Sequence, residues 1–277
     1  DYYASRGLGD VYKRQLQGRG NIDYVNDKYQ QEIYASTSPG IAGENGRYIY
    51  YTYQTTLLYG DLMAKLNKSW DDFSLNAAIG TSITDTRTSA LRLDSKTASL
   101  YYPNVFTIAN INMSSSAYIE ESDDARRQMQ SFFAMAQLGY KESLYLDVTA
   151  RNDWSSTLAK GSNSYFYPSV ALSTMVSEYI KLPTFMDYLK MYGSWAVVST
   201  DLSPYQIMST YTKDSNYGSN PSISYPSSLV NYYIKPQKTT SWEAGLSTAF
   251  FRNRLSFDLT YYHTIDENQI IDLNISN

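Results

Sequence analysis

Apolar and polar residues alternate with a period of two along much of this chain, in stretches of roughly ten residues that come in pairs. Leu57 to Lys68 and Phe73 to Thr84 flank Ser69-Trp70-Asp71-Asp72, and Ser131 to Tyr140 and Leu144 to Asp153 flank Lys141-Glu142-Ser143. Phe166 to Ser177 with Tyr188 to Val198 make a third pair, and Ser241 to Phe251 with Leu255 to Thr264 a fourth, across Arg252-Asn253-Arg254. A period of two sends neighbouring side chains to opposite faces of a strand. In Phe73 to Thr84 one face reads Phe73, Leu75, Ala77, Ile79, Thr81, Ile83 and the other Ser74, Asn76, Ala78, Gly80, Ser82, Thr84. In the strand after Ser143, Leu144, Leu146, Val148 and Ala150 alternate with Tyr145, Asp147, Thr149, Arg151 and Asp153.

Periodicity alone does not say which face is buried. A soluble sandwich turns the apolar face inward, and a membrane barrel turns it outward. Strand length and turn placement separate the two. A tilted strand needs about 9–11 residues to cross a bilayer, against a mode of about 5–6 in soluble sheets. The short turns also alternate with longer connections, Asp85 to Gln130, Trp154 to Tyr165 and Ser199 to Thr240. That is the outer-membrane arrangement of short periplasmic turns and long outer loops. Trp70, Phe73 and Tyr140 lie beside short turns and Trp154, Tyr165 and Tyr167 beside longer loops, which predicts two aromatic girdles.

One unpaired strand, Leu16 to Tyr24, precedes the four hairpins and leads into a loop ending near Tyr50, so about nine strands are predicted. The third turn, Glu178 to Asp187, has room for a helical turn or two, limited by Pro183. Residues 1–15, above all Gly9-Asp10-Val11-Tyr12-Lys13-Arg14-Gln15, resemble translated adaptor read-through and contain no apolar signal-peptide core. They are expected to be non-native, with residues 16–277 the segment that folds and an upstream part missing.

Composition sharpens this picture. Hydrophobic residues are 43% of the 277, yet mean hydropathy is −0.43, because the aromatic surplus is 29 Tyr against 9 Phe. Tyr suits boundaries where one end of the ring is wet. No run approaches the eighteen or so apolar residues of a membrane helix. A net charge of −4 without a basic stripe argues against nucleic acid. Absent Cys removes disulfides and thiolate metal sites.

Catalytic chemistry finds little support. His263 is the sole histidine, without companion ligands, so no metal or catalytic site and no cofactor is expected. Glu120-Glu121-Ser122-Asp123-Asp124 lacks the glycine of a calcium loop and reads as a solvated loop. Asp147, Asp153 and Glu243 alternate with apolar residues, and Arg151 shares their row, so they read as interior-facing charges that tune passage rather than as acid and base. No nucleophile elbow, phosphate loop or dinucleotide fingerprint occurs. The candidate ligand-contacting residues are aromatics at longer connections: Tyr101, Tyr102, Phe106, Trp154, Tyr205, Tyr211, Tyr232 and Tyr233, with Tyr118, Tyr217 and Tyr225 beside them. The same rings have a second reading, packing loops onto each other and the rim.

Phe166-Tyr167-Pro168-Ser169-Val170, then Ser177-Glu178 and Leu189-Lys190-Met191, resemble the mid-barrel signature of SusC/RagA-type TonB-dependent outer-membrane transporters. Leu144 to Ser156 and Thr240-Ser241-Trp242-Glu243-Ala244-Gly245-Leu246, running on to Phe257, resemble two further motifs of that family, in the same order and spacing. The resemblance extends from about Leu57 to His263. Trp154 stands where the family usually has Gly, and Val197-Val198-Ser199-Thr200 replaces its usual segment. The resemblance implies an all-β fold: a partial transmembrane antiparallel β-barrel, open in this fragment, about nine strands of a barrel of about 22. It also implies TonB-energised import of oligosaccharides or peptides, not an enzyme activity. The implied partners are TonB through a plug region not visible here, a SusD-like surface lipoprotein and outer-membrane lipid. The rival readings are a passive porin-like barrel, which would lack the plug, and a soluble β-sandwich carbohydrate-binding module, whose apolar face would be buried.

Overall fold

The computed structural model describes residues 14–98, 100–115, 117–218, 220–226 and 230–270. Its strands are β1 (Arg14–Ile33), β2 (Arg47–Trp70), β3 (Phe73–Asp94), β4 (Ile119–Tyr140), β5 (Leu144–Ser155), β6 (Ser164–Met175), β7 (Met186–Thr200), β8 (Thr212–Tyr217), β9 (Asn220–Ser224), β10 (Gln237–Phe250) and β11 (Leu255–Glu267). Nine of them form one antiparallel sheet in the order β1-β2-β3-β4-β5-β6-β7-β10-β11, which is not closed. β8 and β9 pair only with each other, inside the β7–β10 connection. Among the described residues no helix is long and apolar enough to cross a membrane.

The hairpin turns fall where the alternation breaks. Asp71 (φ 44°), Lys141 and Glu142 (φ 49° and 53°), and Phe251, Arg252 and Asn253 (φ 57°, 60° and 59°) adopt left-handed backbone. Turns with positive φ match the twist of the strands they join. Between Met175 and Met186 the chain makes a 3-10 turn at Val176–Glu178, shorter and earlier than the helical turn expected.

Three expectations are corrected. β1 runs to Ile33 and β2 starts at Arg47, so about half of the loop expected before Tyr50 is strand. The connection expected over Asp85 to Gln130 shrinks to residues 95–118, because β3 and β4 extend into it. Consequently Glu120 to Asp124 lie in β4 rather than in a loop. The physical reason is common to all three. A backbone ladder needs no apolar alternation, and beyond the hydrocarbon layer both faces of a strand can be polar. Charge pairs replace the pattern there: Arg126 and Arg87 bond Asp85, with Nε distances of 3.0 Å, and Arg92 reaches Glu121 at 3.3 Å. Asp1 to Lys13 lie outside the described residues, while Arg14 and Gln15 begin β1.

The chain divides into two compact units. The described part of the first holds residues 14–19, 60–83 and 128–270. Its apolar parity is not buried: Leu146 is 36% and Val148 39% exposed, and Ile79, Phe132, Val170 and Leu172 are exposed as well. A stacked sandwich would have hidden them. Its buried apolar cluster is instead Leu158, Tyr165 and Leu202, with Tyr167, Ile207 and Ile234 packed against it. Pro168 lies mid-strand, and the β6–β7 register runs only from Ser169↔Ala196 to Met175↔Lys190. Proline has no N–H for a ladder. Beside that interruption Ser155 and Thr157 donate to Asp201 (Thr157 Oγ1–Oδ2 3.1 Å), fastening the start of the long β7–β10 connection.

The second unit holds residues 20–59 and 84–127, as far as described. Tyr48, Leu93, Leu100 and Ile111 form its core, with Tyr50, Leu91, Phe106 and Tyr118 around them. Asp94, its side chain fully buried, takes Arg47 at 2.8 and 2.7 Å, Arg92 at 2.9 Å and the Lys96 amide at 2.8 Å. Burial pushes its carboxyl up, but the hydrogen bonds and charges of these partners outweigh that and hold it below the usual range. Gly46 has φ 96°, and a Cβ there would sit 2.8 Å from the Ile33 carbonyl oxygen, so only glycine fits that approach.

Candidate functional site

The parity read from the sequence becomes a continuous polar face when the registers are laid side by side. Thr149 is level with Met135 and Ser169, and the row continues through Ala196, Ser241 and Thr264. Asp147 is level with Gln137 and Ala171, continuing through Ser194, Glu243 and Tyr262. Tyr145, Asp147, Thr149, Arg151, Asp153 and Glu243 therefore share one face, and Leu144, Leu146, Val148 and Ala150 the other. A one-residue slip in any strand would have broken this agreement.

Hydrogen bonds tie the polar face together. Gln137 donates to Asp147 at 2.8 Å, Asn76 donates to Gln137 at 3.3 Å, and Thr149 meets Ser169 at 2.7 Å. Arg151 donates to Asp153 and to Ser131, both at 2.8 Å, and its guanidinium lies over the Phe133 ring at 5.9 Å. Tyr167 donates to the other oxygen of buried Asp153. Tyr165 and Tyr167 thus lie on the polar face, not on the apolar girdle expected for them. Trp154, Phe166, Trp195 and Trp242 stand on the apolar face.

Large rings on the polar face need small neighbours. A Cβ on Gly245 would fall 2.3 Å from the Tyr192 ring, and one on Gly80 2.7 Å from Phe133. Met63, Lys65, Asn67, Asn76, Met135, Gln137, Asp147 and Thr149 line a shallow recess of about 500 Å³. Asn76 and Ser82 had shown their parity in the sequence. Gln137 and Ser131 had not been singled out for this face, although two-residue spacing from their strand neighbours carried the signal.

The loop aromatics divide into packed and presented rings. Phe106 packs on Tyr34 and Tyr48, centroids 5.0 and 6.3 Å away, inside the core of the second unit. Trp154 lies within β5. Tyr101 and Tyr102 are exposed on a segment held by Asn110, whose side chain donates to the Tyr102 and Val105 carbonyls at 2.8 and 2.7 Å and accepts the Tyr102 amide at 2.9 Å. In the first unit Tyr205 is exposed, Tyr211 makes an edge contact with Tyr225 at 5.3 Å, and Tyr232 does so with Tyr233 at 5.2 Å. Among the described residues no three His, Cys, Asp or Glu side chains cluster as a metal site.

Long paired strands, an exposed apolar face and alternating short and long connections define the wall of an outer-membrane β-barrel. The chain belongs to the family described as TonB dependent receptor-like, β-barrel, which matches it over residues 1–277. It is 24% identical over 162 residues to the TonB-dependent receptor P26 of Formosa agariphila, covering 56% of this chain and 16% of that protein. The structure of the RagAB peptide transporter superimposes with a TM-score of 0.82 at 18% identity, over 96% of this chain and 30% of that one. The RagAB peptide importer in its 'open-open' state gives 0.79 at 18% identity, over 96% and 29%. The chain thus spans about a third or less of these proteins. The SusC/RagA-type resemblance carried by Phe166 to Val170 and its flanking motifs agrees with them.

Proposed function

We propose that the protein to which this chain belongs imports oligosaccharides or peptides across the outer membrane with energy from TonB, and that the polar face lines its passage. The observation that carries the reading is the polar row shared by β4, β5, β6, β7, β10 and β11, set on a barrel of the TonB-dependent family. Mixed charge and hydroxyls (Asp147, Thr149, Arg151, Ser194, Glu243) suit a hydrated, polar solute. The exposed tyrosines Tyr101, Tyr102, Tyr205, Tyr211, Tyr232 and Tyr233 stack on sugar rings or peptide side chains and offer hydroxyls for hydrogen bonds. Passage makes and breaks no covalent bond, so the role is transport and not catalysis. A SusD-like lipoprotein would cover the outer loops, and a plug region would receive the pull of TonB.

Uptake of labelled oligosaccharides and peptides by cells carrying the full-length gene tests this. Loss of uptake on deleting either the gene or tonB is expected, and the labelled class that is lost names the substrate. Uptake that survives removal of TonB overturns the energised reading and leaves the passive porin.

A further inference from the structure

We infer that the β10–β11 turn forms, with its neighbouring rings, a binding site for the phosphodiester headgroup of an anionic phospholipid in the inner leaflet of the outer membrane. The inference rests on the outer-membrane barrel and goes beyond the transport reading. The turn lies at the short-turn end of the sheet, which in outer-membrane barrels meets the periplasmic interface. Phe250 lies opposite Leu255 in β11, and Phe257 opposite Thr248, both in the row of Leu246 and Leu259, so both belong to the apolar face. Phe185, from the β6–β7 connection, stacks on Phe250 with centroids 6.2 Å apart, and Phe257 meets Phe250 edge-on at 6.0 Å. Phe185 and Phe257 are nonetheless about half exposed. The rings make a surface for acyl chains at the depth where headgroups begin.

Charge selects the occupant. Arg252 and Arg254 lie in the turn between Phe250 and Leu255, both exposed, and among the described residues neither side chain has a hydrogen bond or ion-pair partner. The cations beside the other short turns are placed differently: Lys68 lies over Trp70 at 5.7 Å, and Lys141 lies over Tyr140 at 5.3 Å and 3.7 Å from Asp72. Asp187, on the neighbouring strand β7, accepts the Asn253 amide at 2.9 Å. Three successive left-handed residues, Phe251 to Asn253, shape the turn, held by that bond and by Phe251 N to Phe185 O at 2.9 Å. A guanidinium pairs with a phosphate through a planar fork of donors. Two of them beside a phenylalanine surface match an anionic lipid and not a zwitterionic one.

The full-length protein, extracted in mild detergent and delipidated, is exposed to phosphatidylglycerol or phosphatidylcholine, and retained lipid is counted by native mass spectrometry. Heat-modifiable migration confirms a folded barrel in every sample. Wild type is expected to retain phosphatidylglycerol at least fivefold more than phosphatidylcholine. Arg252→Gln/Arg254→Gln should lose that excess, and Arg252→Lys/Arg254→Lys should keep most of it. Should the double glutamine variant fail to assemble, single Arg252→Gln and the wild-type preference between the two lipids decide. Equal retention of both lipids, an unchanged excess in the glutamine variant, or displacement by inorganic phosphate at matched concentration overturns the site. Solute uptake measured in the same strains is a separate readout, so failure of the transport reading leaves lipid retention unmoved.

Discussion

Asp147 and Leu146 are neighbours in sequence and lie on opposite faces of the sheet, and the registers on both sides of β5 agree on that partition. Arginine near the bilayer midplane costs about 2–4 kcal/mol on the lipid side of a barrel. In the full-length protein Leu146→Arg should therefore reduce the folded, heat-modifiable form in isolated outer membranes. Thr149→Ala loses one hydroxyl pair with Ser169 and should leave assembly intact, altering uptake at most. The reverse outcome would show that the faces are exchanged. Asp94 offers a second test outside the membrane. Asp94→Asn removes the charge that two buried-end arginines were placed to meet, a loss of about 3 kcal/mol to the second unit. Because its folded pKa is depressed, Asp94 contributes stability that is fully present above the ordinary carboxylate value of about 3.9. That contribution fades as pH falls through the lower folded value. Limited proteolysis within residues 95–118 should accordingly rise below about pH 4 in wild type and already be high at neutral pH in the variant.

At the scale of elements, the loop between β3 and β4 is organised by one side chain. Asn110 satisfies two carbonyls and one amide, so Asn110→Ala leaves them unmet at about 1–3 kcal/mol each where they are buried. Faster cleavage around Tyr101 and Tyr102, with the barrel still assembled, is the expected result. Every one of the four predicted hairpins is present, and the Lys141-Glu142-Ser143 turn falls at the predicted residues. The upper halves of β1 to β4 escaped because charged pairs such as Asp85–Arg126 hold those faces, and charge pairing has no period to read. The β8–β9 hairpin escaped for a related reason: among its described side chains none is buried, and Tyr217 and Ile223 are exposed, so no buried face imposes alternation.

At the scale of the molecule, β1 and β11 each have only one neighbour in the sheet. Exposed edges and an exposed apolar face together make a sheet that recruits other chains. The isolated chain should aggregate when expressed in water without detergent and should transport nothing. A monodisperse monomer with a cooperative melt, seen by light scattering and circular dichroism, would count against the barrel-wall reading.

What the sequence determined alone was the strand period, the hairpin pairing and the partition of β3 and β5 into two faces, because a period of two is a local property that lipid and water both enforce. The family motifs at Phe166 to Val170 and at Thr240 to Leu246 were equally legible. Only the tertiary structure decided that Tyr165 and Tyr167 turn to the polar face, where Asp153 and Arg151 await them from another strand. It alone packed Phe106 against Tyr34 and Tyr48, joined Arg47 to Asp94, and left Arg252 and Arg254 without partners among the described residues. These outcomes depend on which residues of different strands are brought level, and register between strands is written in no single stretch of chain.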